Sequence, residues 1–336
     1  MGSKDYHRLK MEEKDEKGGL LSAAARFMRK RVVIVVASIL ILIGLTNAGI
    51  AIAVFSTSHH EATAWPGESF TFWPEREWRQ FELRIQGMPS SPRMKRLLLG
   101  QVTYLQGTFP VHLLQLSPSH DSGRPLKVLL VSGVHGTETA GVEALLRFSE
   151  IVAHDPSLYA SAFIDIVPLT NPWGWVYGYR YNGNGEDVNR DFASRRTQEA
   201  RLIQDLIRRD GPYDLVMDLH ESKKYGYFIY KYEPEGEGLD EVFLRTLASM
   251  GKPRENNYSE WIFPARDGVL QTPASALFWI ALGRSLSLDH YARLHGTAHS
   301  YTVETPLRDP FSDRVAVHLR TTRAFIDRLA EDRTGH

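Results

Sequence analysis

His135 and Glu138 stand three residues apart at the end of an apolar run, KVLLVSGVHGTE. Imidazole nitrogen and carboxylate oxygen both bind zinc, and a catalytic zinc typically keeps three protein ligands and one open position for water. The pair would supply two of the three. In a chain with 13 histidines this spacing alone is weak evidence. His220 is the natural third ligand, because it ends the apolar run DLVMDLH much as His135 follows its own. Glu304 follows Tyr-Thr-Val, where a carboxylate can serve as general base toward water and then as acid toward a leaving amine.

Elements that deliver these residues can be read from periodicity. Val128–Val131 has the composition of a strand buried on both faces, and ligands in open α/β sheets bind where such strands end. Thr139–Ala153 carries apolar residues at helical spacing, and a further strand is expected at Ala162–Pro168. Strand, helix, strand implies a parallel pair. Arg96–Val102 and Val111–Leu116 suggest an antiparallel pair upstream. Thr197–Arg209 reads as a second amphipathic helix, and Asp214–Leu219 as a buried strand ending at His220. Tyr225–Tyr232 and Ser300–Val303 read as strands. Leu239–Met250, Ala274–Leu282 and Val315–Leu329 read as helices, the last with Ser312 as its cap.

The 336 residues are 43% hydrophobic, enough for a substantial core. Forty basic and 40 acidic residues leave no basic footprint for nucleic acid. Cysteine is absent, so disulfides, thiolate ligands and cysteine nucleophiles are excluded and a metal must be held by histidine and carboxylate.

Residues 1–31 are polar and end in a basic cluster, as expected of a disordered cytoplasmic tail. Val32–Val54 carries no charge and would span about 34 Å as a helix, the thickness of a bilayer core. We read it as an uncleaved signal anchor; a cleaved signal peptide, with Ala51-Ile52-Ala53 as the cleavage site, is the alternative. Lysine and arginine crowd its amino side, which places the amino terminus in the cytoplasm and the following chain in the periplasm or extracellular space. Residues 55–94 read as a stalk and 95–336 as the catalytic domain.

The loop TNPWGWVYGYRYNGNGEDVNRDF, residues 170–192, is rich in glycine, asparagine and tyrosine, and its arginines suit carboxylate binding or stabilisation of an oxyanion. His135-Gly-Thr-Glu138, Asn171-Pro172, Arg180, Asp187-Val-Asn-Arg-Asp-Phe192, His220 and Glu304 occur in an order that resembles the zinc carboxypeptidases, including the succinylglutamate desuccinylase/aspartoacylase branch. The similarity spans about residues 95–330. It implies a three-layer α/β/α sandwich with a mixed, mainly eight-stranded sheet, preceded here by one transmembrane helix. It also implies a single catalytic zinc on His135, Glu138 and His220, with Glu304 as general acid/base. Arg180 matches the arginine that polarises the scissile carbonyl, Asn189 and Arg190 the pair that grips a substrate carboxylate, and Asp187 the carboxylate that orients a zinc-bound histidine. Tyr291 is taken as the tyrosine that closes over substrate, with Tyr301 as the alternative. The specificity pocket is expected within Asp289–His299, while His290, His295 and His299 are read as local structure.

The function expected is a membrane-anchored zinc amidohydrolase of carboxypeptidase type, acting on a peptide, a cell-wall peptide being one possibility. An N-acyl amino acid deacylase using the same residues and a non-catalytic, membrane-tethered binding protein are the rival readings.

Overall fold

A computed structural model describes residues 28–52, 77–89, 92–119, 123–155, 157–231, 238–260, 263–272, 274–282 and 286–334. Residues 1–27 of the expected tail, 53–54 of the expected anchor and 55–76 of the expected stalk lie outside them. The chain divides into two units between Ile52 and Ala53.

The first unit contains one described helix, α1 (Met28–Ile52), whose 25 residues are long and apolar enough to cross a membrane. Two of its polar side chains turn back on the helix: Thr46 donates to the Leu42 carbonyl at 2.9 Å and Asn47 to that of Ile43 at 2.8 Å. Groups satisfied in this way are tolerated in an apolar medium.

The second unit opens with α2 (Trp78–Gly87), inside the segment read as a stalk. Phe81 and Ile85 bury into the main core. The core of this unit therefore includes a helix ahead of residue 95, and the part of the expected stalk before residue 77 lies outside the described residues. The chain continues through β1 (Met94–Tyr104), β2 (Gly107–Leu116), β3 (Leu126–Ser132), α3 (Ala140–His154), β4 (Ala162–Val167), α4 (Pro172–Tyr177) and a 3-10 turn at Val188–Arg190. It then forms α5 (Gln198–Asp210), β5 (Leu215–Ser222), β6 (Phe228–Lys231), α6 (Leu239–Ser249) and the short strands β7 (Ser259–Glu260), β8 (Phe263–Pro264) and β9 (Val269–Gln271). The last elements are α7 (Ala274–Leu282), α8 (Leu288–Leu294), β10 (His299–Pro306) and α9 (Phe311–Thr334). Ser312 thus lies within α9 and does not cap it.

The mixed sheet has eight strands in the order β1-β2-β4-β3-β5-β10-β6-β9. Its four central strands, β4, β3, β5 and β10, run parallel. Alternation along them feeds two layers. Val128, Leu130, Leu215, Met217, Leu219, Tyr301 and Val303 join one core with Leu145 and Phe148 of α3 and Phe325 and Ile326 of α9. The alternate residues Leu129, Val131 and Val216 are equally buried and face the opposite layer, where α5 and α8 pack. Truncating a side chain such as Phe325 to alanine would cost about 3–5 kcal/mol. The three-layer α/β/α arrangement read from the motifs is the one observed.

Candidate metal centre

The central strands fix where the polar residues meet. β3 ends at Ser132, and Gly133 turns the chain with φ +63°, a left-handed conformation that glycine adopts without strain. His135 and Glu138 follow on the loop to α3. β5 runs beside β3, and β10 beside β5 in a register that pairs Glu304 directly with His220. Both residues lie within their strands, since β5 continues to Ser222 and β10 to Pro306, further than the apolar runs indicated.

Gly136 allows the His135 loop to lie against α4: a Cβ there would stand 1.9 Å from the Gly174 carbonyl carbon. Its amide donates to the Arg180 carbonyl at 3.2 Å. Asn171 ties the same two loops together. Its side chain caps α4 by accepting from Gly174 N at 2.8 Å and donates to the Val134 and Tyr181 carbonyls at 3.4 and 3.1 Å. The Asn-Pro motif is thus accounted for structurally.

One ligand atom from each of His135, Glu138 and His220 lies within 4.8 Å of the others, and all three residues are buried. The two Nδ1 atoms stand 3.1 Å apart. A tetrahedral zinc with Zn–N near 2.0–2.1 Å would separate two nitrogen ligands by about 3.3 Å. Glu138 Oε1 is 2.8 Å from His135 Nδ1, and Oε2 is 2.7 Å from His220 Nδ1. Two nitrogens and a carboxylate fit a divalent metal of the zinc type.

The outer ring nitrogens are held as well. His135 Nε2 is 3.1 Å from Asp187 Oδ1, and His220 Nε2 is 2.7 Å from Asp218 Oδ2. Both contacts orient the Nδ1 atoms toward the centre. Asp187 was anticipated from the motif; Asp218 was not, although it lies two residues before His220 and so on the same face of β5.

The cluster is strongly polarised. Burial raises the Glu138 carboxyl, but His135 and His220 overcome this and hold it well below the usual range. Burial lowers His220, yet Asp218 and Glu138 leave it well above the ordinary histidine value. Asp187 is likewise driven down against burial by His135 and Arg180. Burial pushes Glu304 up to about 8, with His220 opposing and Glu138 reinforcing the shift. Glu304 Oε2 has no hydrogen-bond partner among the described residues.

These groups open into a cleft of about 500 Å³ whose lining includes Arg180, Asn189, Arg190 and Glu304. Arg180 is 3.3 Å from Glu138 Oε1 and 3.2 Å from Asp187 Oδ2. Asn189 is occupied internally: its Oδ1 accepts from Leu288 N at 3.0 Å, and its Nδ2 is 3.4 Å from His220 Nε2. Arg190 faces Glu260 at 3.8 Å.

Tyr291 is not among the cleft-lining residues. Its ring is buried and stacks on His295 with centroids 3.8 Å apart, because the first turns of α8 aim it inward. The alternative, Tyr301, is buried in the core against Phe325. Among the described residues, the tyrosines that line the cleft are Tyr230 and Tyr258, which spacing gave no means of choosing. Of the segment Asp289–His299, only Asp289 and His290 reach the cleft, and Ser287 engages both.

The mixed eight-stranded sheet, with a His-Glu-His cluster at one end of its central parallel strands, has a fold similar to that of metallocarboxypeptidase structures. Residues 125–250 match the family model of the succinylglutamate desuccinylase/aspartoacylase catalytic domain, in line with the resemblance read from the motifs. Carboxypeptidase 2 of Trichophyton rubrum is 33% identical over 205 residues, which cover 56% of this chain and 36% of the relative. Murein peptide amidase A of Escherichia coli (strain K12) is 28% identical over 170 residues, covering 46% of this chain and 65% of the relative. The chain thus spans about a third of the fungal protein's length and just under two thirds of the bacterial one's. Among solved structures, a candidate metallopeptidase from Shewanella denitrificans superimposes with TM-score 0.62 at 23% identity, covering 80% of this chain and 98% of that one. A metallo-carboxypeptidase from Burkholderia cenocepacia does so with TM-score 0.56 at 19% identity, covering 77% and 70%. These likenesses establish the fold.

Proposed function

We propose that the protein is a zinc-dependent amidohydrolase of carboxypeptidase type, anchored in a membrane by α1 with its amino terminus cytoplasmic and its cleft facing outward. The observation that carries this reading is the convergence of His135, Glu138 and His220 beside Glu304 in one cleft. The relatives are carboxypeptidases and a murein peptide amidase, so peptides are the substrate class favoured, cell-wall peptides among them.

His135, Glu138 and His220 would hold one zinc ion, which when bound supplies Lewis acidity toward an amide carbonyl and acidifies water. Asp187 and Asp218 keep the imidazoles turned toward it. Glu304 takes the proton from the attacking water and returns it to the leaving nitrogen. A carboxyl near pH 8, pulled downward by an adjacent cation, falls in the range where one group performs both transfers. Arg180 stabilises the oxygen of the amide carbonyl, where negative charge develops. Arg190 binds a carboxylate on the leaving side, and Asn189 sets the edge of that position through its hold on α8.

The match of residues 125–250 to the desuccinylase/aspartoacylase family favours one further reading, release of an acyl group from an N-acyl amino acid by the same residues. Metal analysis and side-by-side assays of short peptides and N-acyl amino acids test both. Stoichiometric zinc and peptide hydrolysis are expected. Cleavage confined to N-acyl amino acids would select the deacylase, and absence of bound metal with no zinc-dependent hydrolysis would reject both.

A further inference from the structure

We propose that Lys223 and Lys224 form a second anion-binding position in the cleft, so that the preferred substrate carries a carboxylate in addition to the one bound by Arg190; this rests on the hydrolase reading above. Both lysines line the cleft. They lie three and four residues beyond His220, so the Cα of Lys223 is within about 10 Å of the Cα of that ligand.

Glu304 apart, other charges of the cleft are engaged within the protein. Glu221 is bound by Arg314 and accepts from Ala140 N at 2.8 Å. Asp289 is engaged by Ser287 and His290. Glu260 accepts from both Tyr258 and Tyr230 and faces Arg190. Arg180 is shared by Asp187 and Glu138. Neither lysine, by contrast, makes an ion pair with an acidic group among the described residues; Lys224 Nζ lies 4.1 Å from the centroid of the Tyr258 ring.

The loop that carries them is also held in place. The carboxylate of Glu255, itself buried, accepts from Tyr225 N at 3.0 Å, Gly226 N at 2.9 Å and Asn257 N at 2.6 Å. Lys224 N donates to Ser222 Oγ at 3.2 Å. Two consecutive lysines on a fixed loop at the cleft wall raise the local positive potential, and an anionic group bound beside them is favoured with little ordering of the loop left to do.

Binding of N-acetyl-Glu-Ala and N-acetyl-Gln-Ala to the full-length, zinc-loaded Glu304→Gln protein in detergent micelles, followed by calorimetry, tests this without turnover. The glutamate probe should bind about fivefold more tightly, and the difference should shrink as salt is raised. Adding Lys223→Gln and Lys224→Gln should abolish the difference while leaving the glutamine probe unaffected, and Lys223→Glu with Lys224→Glu should reverse it. Equal affinities with the lysines in place, a difference that survives their removal, or no binding of either probe would overturn the proposal. If the parent protein shows the binding difference but hydrolyses neither probe's peptide bond, the hydrolase reading falls and the anion site stands.

Discussion

Asp218 Oδ2 lies 2.7 Å from Nε2 of His220, two residues further along the same face of β5, while Nδ1 of that ring points at Glu138. The aspartate is wholly buried, so its main effect is to fix the ring and raise its basicity as a ligand. Asp218→Asn keeps the shape and removes the charge. It should weaken zinc binding about 10- to 100-fold in a competitive chelator titration. Unchanged affinity would show that the contact does not support the metal.

Glu304→Gln separates binding from chemistry. Glu304 is beside His220 in the sheet but is not one of the three ligands. The variant should retain one zinc per chain and lose at least about 100-fold in kcat on any amide substrate the parent cleaves. Loss of zinc together with activity would mean that Glu304 acts through the metal site's integrity.

Gly136 is where the two halves of the site touch. A methyl group there meets the backbone of α4, which cannot move aside as a flexible side chain could. Gly136→Ala should lower stability by about 3 kcal/mol in denaturant unfolding and weaken metal binding as well, because His135 is displaced with the loop. Wild-type behaviour would show that the loop tolerates a shift.

Glu199 yields a prediction about pH. It is buried at the start of α5, where Oε1 accepts from the Tyr104 hydroxyl and Oε2 from Asn182 at 3.4 Å. Burial raises its carboxyl above the ordinary 4.5. The folded state therefore holds this proton more tightly than the unfolded chain. The contribution to stability is full below about pH 4.5 and is lost as pH rises through the folded value. Unfolding free energies of parent and Glu199→Gln, compared from pH 4 to 8, should show a shallower decline in the variant. Parallel curves would remove Glu199 as the source.

Local features of the chain announced much of this centre. KVLLVSGVHGTE and DLVMDLH show in their composition that strands deliver His135 and His220, since buried parallel strands are short and apolar. The spacing of His135 and Glu138 is equally local. The N-terminal apolar run reads as a helix from Val32 in sequence, whereas α1 already begins at Met28 and is described to Ile52.

What sequence alone did not determine are the relations set by strand order. β5 lies between β3 and β10, which brings His220 against residues 85 and 82 positions earlier and pairs it with Glu304. The direction of a side chain on a short helix was also hidden: Tyr291 turns inward against His295, while Tyr230 and Tyr258, from β6 and the segment before β7, reach the cleft. Charge shows the same limit. Composition reports a formal net charge of zero, but only the folded contacts reveal that Arg180 and Arg190 meet acidic groups of the cleft, that Glu221 meets Arg314, and that Lys223 and Lys224 pair with no acid among the described residues. Secondary structure and ligand type follow from interactions between near neighbours, whereas pairing, burial and the charge left for a substrate depend on packing between distant segments.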